Sequence, residues 1–245
     1  MNEQLPFHDS VRDRLLQAST ATIATQLFRL GLRNTFLNGL LPVNPGHCRF
    51  AGEAATLRFI PMREDLDTLE TIHDPDYPQR KAIESARPGT VFVIDSRGDT
   101  RAGTVGNILL TRLRVRGAVG LVTDGAVRDA PEIAVQPFPV FAAARSAAIS
   151  LSVHHAVDFD VPIACAGVAV FPGDILAGDE EGVVVIPRHL APAIAAPAAE
   201  QEALERFLLA KIEAGAPLPG TYPPNEQTLA EYAAWRRSLP SPGST

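Results

Sequence analysis

The sequence contains little cysteine, methionine or aromatic residue. Of its 245 residues, two are cysteine, two are methionine and one is tryptophan, and the aromatic share is 6%. Cys48 and Cys165 stand far apart and no CxxC pair is present, so the sequence predicts neither a disulfide scaffold nor a thiolate zinc site. This sparse use of cysteine fits the reducing cytoplasm best, and we expect a cytoplasmic protein.

Long apolar runs and an excess of positive charge are also absent. No apolar run approaches the roughly 20 residues that cross a bilayer, and the first residues contain no basic segment followed by an apolar one. The 22 basic and 28 acidic residues give a formal net charge of −6. This acidity argues against a broad nucleic-acid-binding surface, and we predict neither a nucleic acid nor a membrane as a partner.

The remaining composition is typical of a globular domain. Apolar residues make up 46% and charged residues 20% of the chain, and the length allows a sizeable core. Internal repeats and a clear linker are lacking, so we predict one domain over residues 1–245. Residues 1–45 are expected to form N-terminal helices. Residues 188–245 are expected to form a C-terminal helix, interrupted before residue 198 by prolines, and an arm that ends in a frayed tail and reaches a subunit interface.

Predicted strands and helices alternate between these ends. β-branched and aromatic residues predict strands over residues 50–60, 90–95 and 118–123, and short strands with glycine and aspartate turns over residues 161–187. Helices are predicted over residues 79–86 and from Gly106 onwards. This order predicts an α/β fold that contains a βαβ unit.

The chain is organised around residues 105–132, which read V-G-N-I-L-L-T-R-L-R-V-R-G-A-V-G-L-V-T-D-G-A-V-R-D-A-P-E. A helix opened by Gly106 should end near Gly117, and the strand after it should end at a break formed by Asp124 and Gly125. A helix that packs on a sheet runs antiparallel to the next strand, so its start should face Arg128 and Asp129. Unpaired N–H groups, a guanidinium and a carboxylate could then hold an anion and a metal cation.

Taken alone, residues 128–132 are more typical of a surface ion pair at a turn. The glycine-opened helix facing them favours a site instead. There, backbone N–H groups and a bidentate guanidinium could bind a carboxylate, while Asp129 holds a hard cation directly or through water.

Residues 105–132 resemble the family that includes 4-hydroxy-4-methyl-2-oxoglutarate/4-carboxy-4-hydroxy-2-oxoadipate aldolase and the regulator of ribonuclease activity A. Residues 170–174, 179–187 and 220–226 extend the resemblance. It implies a fold like the swivelling phosphohistidine domain, a βαβ sandwich with helical N-terminal and C-terminal extensions. It also implies trimers or hexamers with sites between subunits, a Mg²⁺ or Mn²⁺ ion, and cleavage of a small 2-oxo acid to pyruvate.

The resemblance also implies roles for individual residues. Arg128 would bind the carboxylate of the substrate together with the backbone of Gly106, Asn107, Ile108 and Leu109. Asp129 would hold the metal or its waters. The set from Arg128 to Glu132 is intact here, which favours the enzyme over the ribonuclease-regulator branch.

One residue departs from the pattern, because Asn107 stands where aldolases of the family usually have an acidic residue. An amide orients water but adds no charge, and Glu132 or Asp124 are candidates to supply it. The family also uses a glutamate from the C-terminal helix of a neighbouring subunit. Glu202 and Glu205 are the candidates, and a role as solvated helix residues fits them equally well.

These expectations lead to a metal-dependent pyruvate aldolase that could also decarboxylate oxaloacetate. Two alternatives stay open at this point. The protein could bind and restrain a ribonuclease without catalysis, or it could act as a hydratase or isomerase on a sugar-derived 2-oxo acid. The adjacent His154 and His155 would point to opposite faces of a strand, so they are expected to be structural rather than a metal pair.

Overall fold

The fold of this protein was obtained as a computed structural model that describes residues 7–238. Seven α-helices occur in this part of the chain, and several short 3₁₀ turns connect them to strands. The helices are α1 (Asp9–Gln17), α2 (Thr20–Arg29), α3 (Pro78–Ser85), α4 (Asn107–Val115), α5 (Ala130–Ala134), α6 (Ala191–Glu213) and α7 (Glu226–Ser238).

Eleven strands lie in the described part of the chain, nine in one sheet and two in a separate hairpin. They are β1 (Leu41–Pro42), β2 (Phe50–Pro61), β3 (Thr90–Asp95), β4 (Gly103–Val105), β5 (Gly120–Val127), β6 (Val140–Arg145), β7 (His154–Phe159), β8 (Ile163–Cys165), β9 (Val168–Val170), β10 (Ile175–Asp179) and β11 (Gly182–Ile186). This mixture confirms the predicted α/β class, and none of the helices described is long and apolar enough to cross a membrane.

The main sheet is mixed, and its parallel part positions the candidate site. Its order is β1-β6-β5-β3-β2-β10-β11, with β4 beside β5 and β7 beside β2. The pairs β2–β3, β3–β5 and β5–β6 are parallel, and β4 is parallel to β5. The chain therefore passes from β3 through β4 and α4 to β5 as the βαβ unit that the sequence predicts.

Alternating side chains of the central strands fill two cores. In β3, Phe92 and Ile94 pack in the core that also contains residues of α3, α4 and α5. Val91 and Val93 point the other way, into a core shared with the β8–β9 hairpin. Both faces of β3 are thus covered, which explains its continuous apolar sequence. A third core joins β10 and β11 to α1, α2 and α6.

The prediction of helices over residues 1–45 was wrong after Arg29. Gly31 takes a positive φ of 89° and ends α2, as a left-handed glycine at a helix C-terminus does. Beyond it the chain is extended, and the N–H of Leu37 donates to the carbonyl of Val183 in β11. Pairing with the sheet edge therefore replaces a third helical segment.

The prediction that prolines delay the C-terminal helix was also wrong. Helix α6 is continuous from Ala191 to Glu213, with Pro192 in its first turn and Pro197 inside it. The first turn needs no N–H donor, so Pro192 is tolerated there. Ile194 and Ala198 are buried in the third core, and this packing offsets the hydrogen bond lost at Pro197. The expected frayed tail falls almost wholly on residues 239–245, outside the described residues.

The pair Asp124–Gly125 does not end its strand, contrary to the prediction. It lies inside β5, where the register with β6 shifts between Thr123 and Ala126. A Cβ on Gly125 would come within 2.6 Å of the Ser96 side chain, so the bulge needs glycine. Other predicted elements are confirmed: β2, β3 and α3 begin and end within one residue of the strands predicted over residues 50–60 and 90–95 and the helix predicted over residues 79–86.

Candidate functional site

A cavity of about 370 Å³ lies where α4 begins and β5 ends. Segments distant in sequence form its walls: α3 and the turn before it, the loop and strand leading into α4, the residues after β5, and a 3₁₀ turn before β7. The lining residues are Ile72, Tyr77, Gln79, Arg80, Gly103, Thr104, Val105, Gly106, Ile108, Leu109, Arg128, Asp129, Ile149, Ser150 and Leu151. Sites of open α/β proteins commonly occupy this carboxyl edge of parallel strands.

The first turn of α4 faces this cavity with its backbone N–H groups. Gly106 is the N-cap, and no side chain caps the helix there. The N–H of Asn107 donates to Oδ2 of Asp129 at 3.0 Å, whereas the N–H groups of Ile108 and Leu109 have no acceptor among the described residues. Two unpaired donors at the positive end of a helix favour an anion.

Arg128 and Asp129 lie directly after β5 and face that helix start, as the sequence predicts. The N–H of Arg128 donates to the carbonyl of Val105 at 3.0 Å, which joins the two ends of the βαβ unit. The Arg128 Nε lies 3.5 Å from Asp129 Oδ1, and the side chains are 39% and 38% exposed. Asp129 has φ 55° and ψ 34°, a left-handed conformation that a non-glycine residue adopts at a cost of about 1–3 kcal/mol. Such strain often accompanies functional sites.

Two glycines allow the approach of the backbone to these side chains. A Cβ on Gly106 would lie 2.5 Å from Asp129 Oδ2 and 2.9 Å from Arg128 Cγ. A Cβ on Gly103 would lie 2.7 Å from the backbone nitrogen of Arg128. The prediction used Gly106 only as a helix start and missed Gly103. The close approach became visible only when the pairing of β4 with β5 was known.

The amide of Asn107 is fixed beside the cavity but does not line it. Its Oδ1 accepts a hydrogen bond from Nε2 of Gln136 and a longer one, 3.4 Å, from the Thr111 hydroxyl. Asn107 therefore contributes its backbone N–H to Asp129 while its side chain braces α4 against the segment after α5. The structure shows no charge at this position that could replace the expected acidic residue.

The other acidic candidates lie away from the cavity wall of this protomer. Glu132 is exposed in the first turn of α5. Glu202 is tied to the start of α2, where its Oε2 accepts from the Ser19 N–H at 3.0 Å and the Thr22 hydroxyl at 2.8 Å. Glu205 accepts from Gln201 Nε2 at 2.7 Å. Their roles toward a metal or a neighbouring subunit stay predictions.

Asp124 cannot supply the missing charge, because its carboxylate is structural. It is buried and accepts backbone N–H groups from Ser96 at 2.6 Å and from Gly98 at 3.0 Å. Burial raises the pKa of Asp124, although those hydrogen bonds oppose the shift. This side chain holds the loop after β3 rather than facing the cavity.

Helix α3 contributes residues that the sequence analysis missed. Gln79 is buried and donates to the carbonyl of Thr104 at 2.6 Å, which ties α3 to β4. Burial raises the pKa of Tyr77, whose hydroxyl accepts from the Ala156 N–H at 2.9 Å, so this residue stays protonated at neutral pH. Arg80 completes the wall. The sequence held one signal for Arg80. Cations are disfavoured in the first turn of a helix, so an arginine at that position of a predicted helix suggests a role other than helix stability.

The two histidines are separated as expected for neighbouring residues of a strand. His154 is buried against Phe59, with ring centroids 5.3 Å apart. His155 points to the other side and pairs with Asp67 at 2.8 Å. Desolvation lowers the pKa of His154, so it is neutral at pH 7. Neither lines the cavity.

The donor set at the cavity fits a sparsely liganded Mg²⁺ or Mn²⁺ ion. Within residues 7–238, no group of three or more His, Cys, Asp or Glu side chains surrounds a common point. A closed protein cage, as zinc or calcium requires, is therefore not formed by those residues. Magnesium keeps several waters and takes one or two carboxylates plus substrate oxygens, and Asp129 offers one such carboxylate on the wall.

The fold and this cavity define an α/β protein with a cavity, lined by a helix N-terminus, an arginine and an aspartate, at the carboxyl edge of the parallel strands of a mixed sheet. More specifically, the chain belongs to the RraA-like family, because the family model described as Aldolase/RraA matches residues 20–185.

The names of individual relatives refer to aldolases and to a family of ribonuclease inhibitors. A putative 4-hydroxy-4-methyl-2-oxoglutarate aldolase from Halalkalibacterium halodurans is 39% identical over 44% of this chain, and the match spans about half (51%) of that relative. The 4-hydroxy-4-methyl-2-oxoglutarate aldolase of Thermus thermophilus is 31% identical over 58% of this chain and 78% of its own. A Streptomyces coelicolor structure, described as an unusual member of the RNase ES inhibitor RraA family, is 30% identical. It covers 82% of this chain and 96% of its own, with a TM-score of 0.72.

Proposed function

We propose that this protein is a divalent-metal-dependent aldolase that cleaves a 4-hydroxy-2-oxo acid and releases pyruvate. The carrying observation is the cavity in which the unpaired N–H groups of α4 face Arg128 and Asp129. The relatives from Halalkalibacterium halodurans and Thermus thermophilus are named as aldolases, which supports this class of reaction. Decarboxylation of oxaloacetate, which also yields pyruvate, would use the same groups.

Each group at the cavity suits one part of a 2-oxo acid. The Arg128 guanidinium would bind the carboxylate, and the N–H groups of Ile108 and Leu109 would hold the same anion from the helix side. A Mg²⁺ or Mn²⁺ ion held by Asp129 would supply electrophilic stabilisation of the negative charge that develops on the keto oxygen. The hydrogen bond from the Asn107 N–H to Oδ2 of Asp129 orients this carboxylate before the substrate arrives.

Cleavage also needs a base for the 4-hydroxyl group, and the cavity of one protomer offers none besides Asp129. Asp129 is the one carboxylate that lines it among the described residues. We propose that a neighbouring copy completes the site through Glu202 or Glu205 in a trimer or hexamer. Exposed apolar side chains near these residues, including Leu209 (59%), Leu218 (60%) and Tyr222 (61%), support a contact between copies there. A relation of the fold to the swivelling phosphohistidine domain, and a single domain over the whole chain, remain part of the same proposal.

The test is pyruvate release from 4-hydroxy-4-methyl-2-oxoglutarate and from oxaloacetate, measured with Mg²⁺ and with a chelator. Metal-dependent turnover on either substrate is the expected result. If neither substrate yields pyruvate faster than the uncatalysed reaction, the aldolase proposal is wrong.

A second candidate function, binding and restraint of a ribonuclease, is favoured by the similarity to the Streptomyces coelicolor structure. The substitution Arg128→Ala separates the two candidates. It should abolish pyruvate release in the enzyme, whereas inhibition of a ribonuclease by an exposed surface should persist. An Arg128→Ala protein that keeps full turnover would contradict the proposed site.

A further inference from the structure

A second guanidinium, that of Arg80, lines the cavity and has no partner in the described chain. Arg80 belongs to the first turn of α3 and is partly buried. Other charged side chains of this helix are paired: Lys81 lies 2.9 Å from Asp76, and Glu84 lies 2.6 Å from Arg112. Arg80 differs because it lines the cavity and pairs with no carboxylate of the described chain.

Helix stability does not account for this arginine. The N-terminal turn carries the positive end of the helix dipole, where a cation is unfavourable by a few tenths of a kcal/mol or more. Arg80 is also flanked in the cavity by apolar walls such as Ile72 and Leu151, which cannot satisfy its donors. An anion bound in the cavity would pair with the Arg80 guanidinium and offset the positive charge at the start of α3.

The charge balance of the cavity leaves one cation for a second anionic group. Of its lining residues, Arg80 and Arg128 are cationic and Asp129 is anionic, in a protein whose formal net charge is −6. Arg128 and the start of α4 are sufficient for one carboxylate, and Asp129 remains for a metal. A substrate with a single carboxylate would leave Arg80 unpaired.

The size of the cavity agrees with a ligand larger than pyruvate. Its volume of about 370 Å³ equals that of roughly twelve water molecules, about twice the number of non-hydrogen atoms in pyruvate. Ser150 also lines the cavity, so the wall is not wholly apolar on that side.

We propose that Arg80 binds a second carboxylate of the substrate, on the far side of the bond that is cleaved, and that it thereby makes the enzyme select dianionic 2-oxo acids. This inference rests on the proposed aldolase function for its reaction but not for its binding. Arg80 is a specificity-determining residue, and the reacting atoms stay with Arg128 and Asp129.

The first experiment compares two substrates that share the reacting centre. 4-Hydroxy-4-methyl-2-oxoglutarate has the second carboxylate, and 4-hydroxy-4-methyl-2-oxopentanoate has a methyl group in its place. Arg80→Met should lower kcat/KM for the first by about 10- to 100-fold and leave the second within about threefold, because a charge-assisted hydrogen bond is lost only with the dianion. Arg80→Lys should fall between. Lys81→Met removes a cation from the same helix outside the cavity and should change neither substrate selectively.

The second experiment measures binding without turnover. Calorimetric titration with 2-oxoglutarate and with pyruvate, in the presence of Mg²⁺, should show that Arg80→Met weakens only the 2-oxoglutarate complex. If Arg80→Met weakens only the binding of 2-oxoglutarate but the wild-type protein releases no pyruvate from any substrate, the aldolase proposal is wrong and the role of Arg80 stands. Turnover in the wild type with an Arg80→Met variant that treats both substrates alike would disprove the role of Arg80 and keep the aldolase. Thermal unfolding of each variant checks that the fold is intact.

Discussion

The N-termini of α2 and α4 both meet carboxylates, but that of α4 has N–H groups without an acceptor among the described residues. At α2, Asp179 accepts from the N–H and the hydroxyl of Thr20, both at 2.7 Å, and Glu202 accepts from Ser19 and Thr22. At α4, Asp129 accepts only from Asn107, and the next two N–H groups face the cavity. The same backbone donors are therefore used for stability in one place and remain available to a ligand in the other.

The difference follows from burial and from the cap. The start of α2 has Ser19 as a side-chain cap, and Thr20 and Asp179 are 2% and 4% exposed. The start of α4 has Gly106, which supplies no side chain and lets Arg128 and Asp129 approach. Substitutions at the closed start should therefore act on the free energy of unfolding, and substitutions at the open start on ligand binding and rate.

The largest effect is expected for Gly106→Ala. The added Cβ would displace Asp129 and Arg128, and a displacement of about 1 Å at reacting groups costs roughly 100-fold in rate. We expect at least that loss in kcat/KM, with a fall of only about 1–3 kcal/mol in the free energy of unfolding. Gly46→Ala is the matched control, because a Cβ at Gly46 meets no atom within 4 Å. Full activity in Gly106→Ala would show that the close approach is unimportant.

Asp179→Ala should act in the opposite way. It leaves the buried N–H and hydroxyl of Thr20 without an acceptor, and we expect a loss of about 2–4 kcal/mol in the free energy of unfolding, measured by urea denaturation. The kcat/KM of the folded enzyme should stay within twofold or so. Asp13→Ala, at a side chain that is 62% exposed, should change neither quantity. A loss of activity without a loss of stability in Asp179→Ala would contradict the conclusion that the start of α2 serves stability.

A smaller and pH-dependent loss of stability is expected for Glu202→Gln. Burial alone would raise the pKa of Glu202, but hydrogen bonds from Ser19 and Thr22 outweigh it and the pKa lies below its ordinary value. A depressed folded-state pKa stabilises the fold above the unfolded pKa, and this contribution disappears as the pH falls through the folded-state pKa. The deficit of Glu202→Gln, about 1 kcal/mol at pH 7, should therefore vanish in acid.

The variant Glu205→Gln is the matched control for Glu202→Gln. Glu205 bonds only to Gln201 on its own helix, so this substitution should leave the unfolding curve at pH 7 nearly unchanged. A fall in kcat for either variant, separate from stability, would indicate the glutamate that reaches a neighbouring cavity. Equal stability losses in both variants would contradict the structural role given to Glu202.

The smallest effect is expected for Asn107→Asp at the open helix start. A carboxylate could still accept from Gln136, and it adds negative charge beside Asp129 and the helix dipole. The dissociation constant for Mg²⁺ should fall by about 3- to 10-fold, since affinity for hard cations rises with ligand charge. Asn38→Asp, at an exposed asparagine elsewhere, is the control for net charge. An unchanged dissociation constant would place the metal away from Asn107.

The meeting of Gly106 with Arg128 and Asp129 could be predicted because chain order determines direction in a βαβ unit. A helix between two parallel strands must return, so its start and the end of the next strand share one edge. The prediction needed no knowledge of packing. The resemblance to the family added the expected partners of these residues but not their hydrogen bonds.

Other features depended on contacts that no local pattern contains. Gly103 is required because of Arg128, and Pro197 is tolerated because Ile194 and Ala198 are buried in the core that α6 shares with α1 and α2. Arg80 lines the cavity on a helix that Gln79 ties to β4. In each case tertiary packing decided the outcome, and propensity alone favoured another one.

The cavity is divided between separate parts of the chain. The anion donors and the Arg128–Asp129 pair come from one contiguous segment, residues 103–129, closed on itself by the bond from Arg128 to Val105. Arg80 and Ser150 come from segments before and after it. Changes in those outer segments can therefore alter one side of the cavity while residues 103–129 stay intact, so a scaffold of this kind is well suited to laboratory evolution of new ligand specificities.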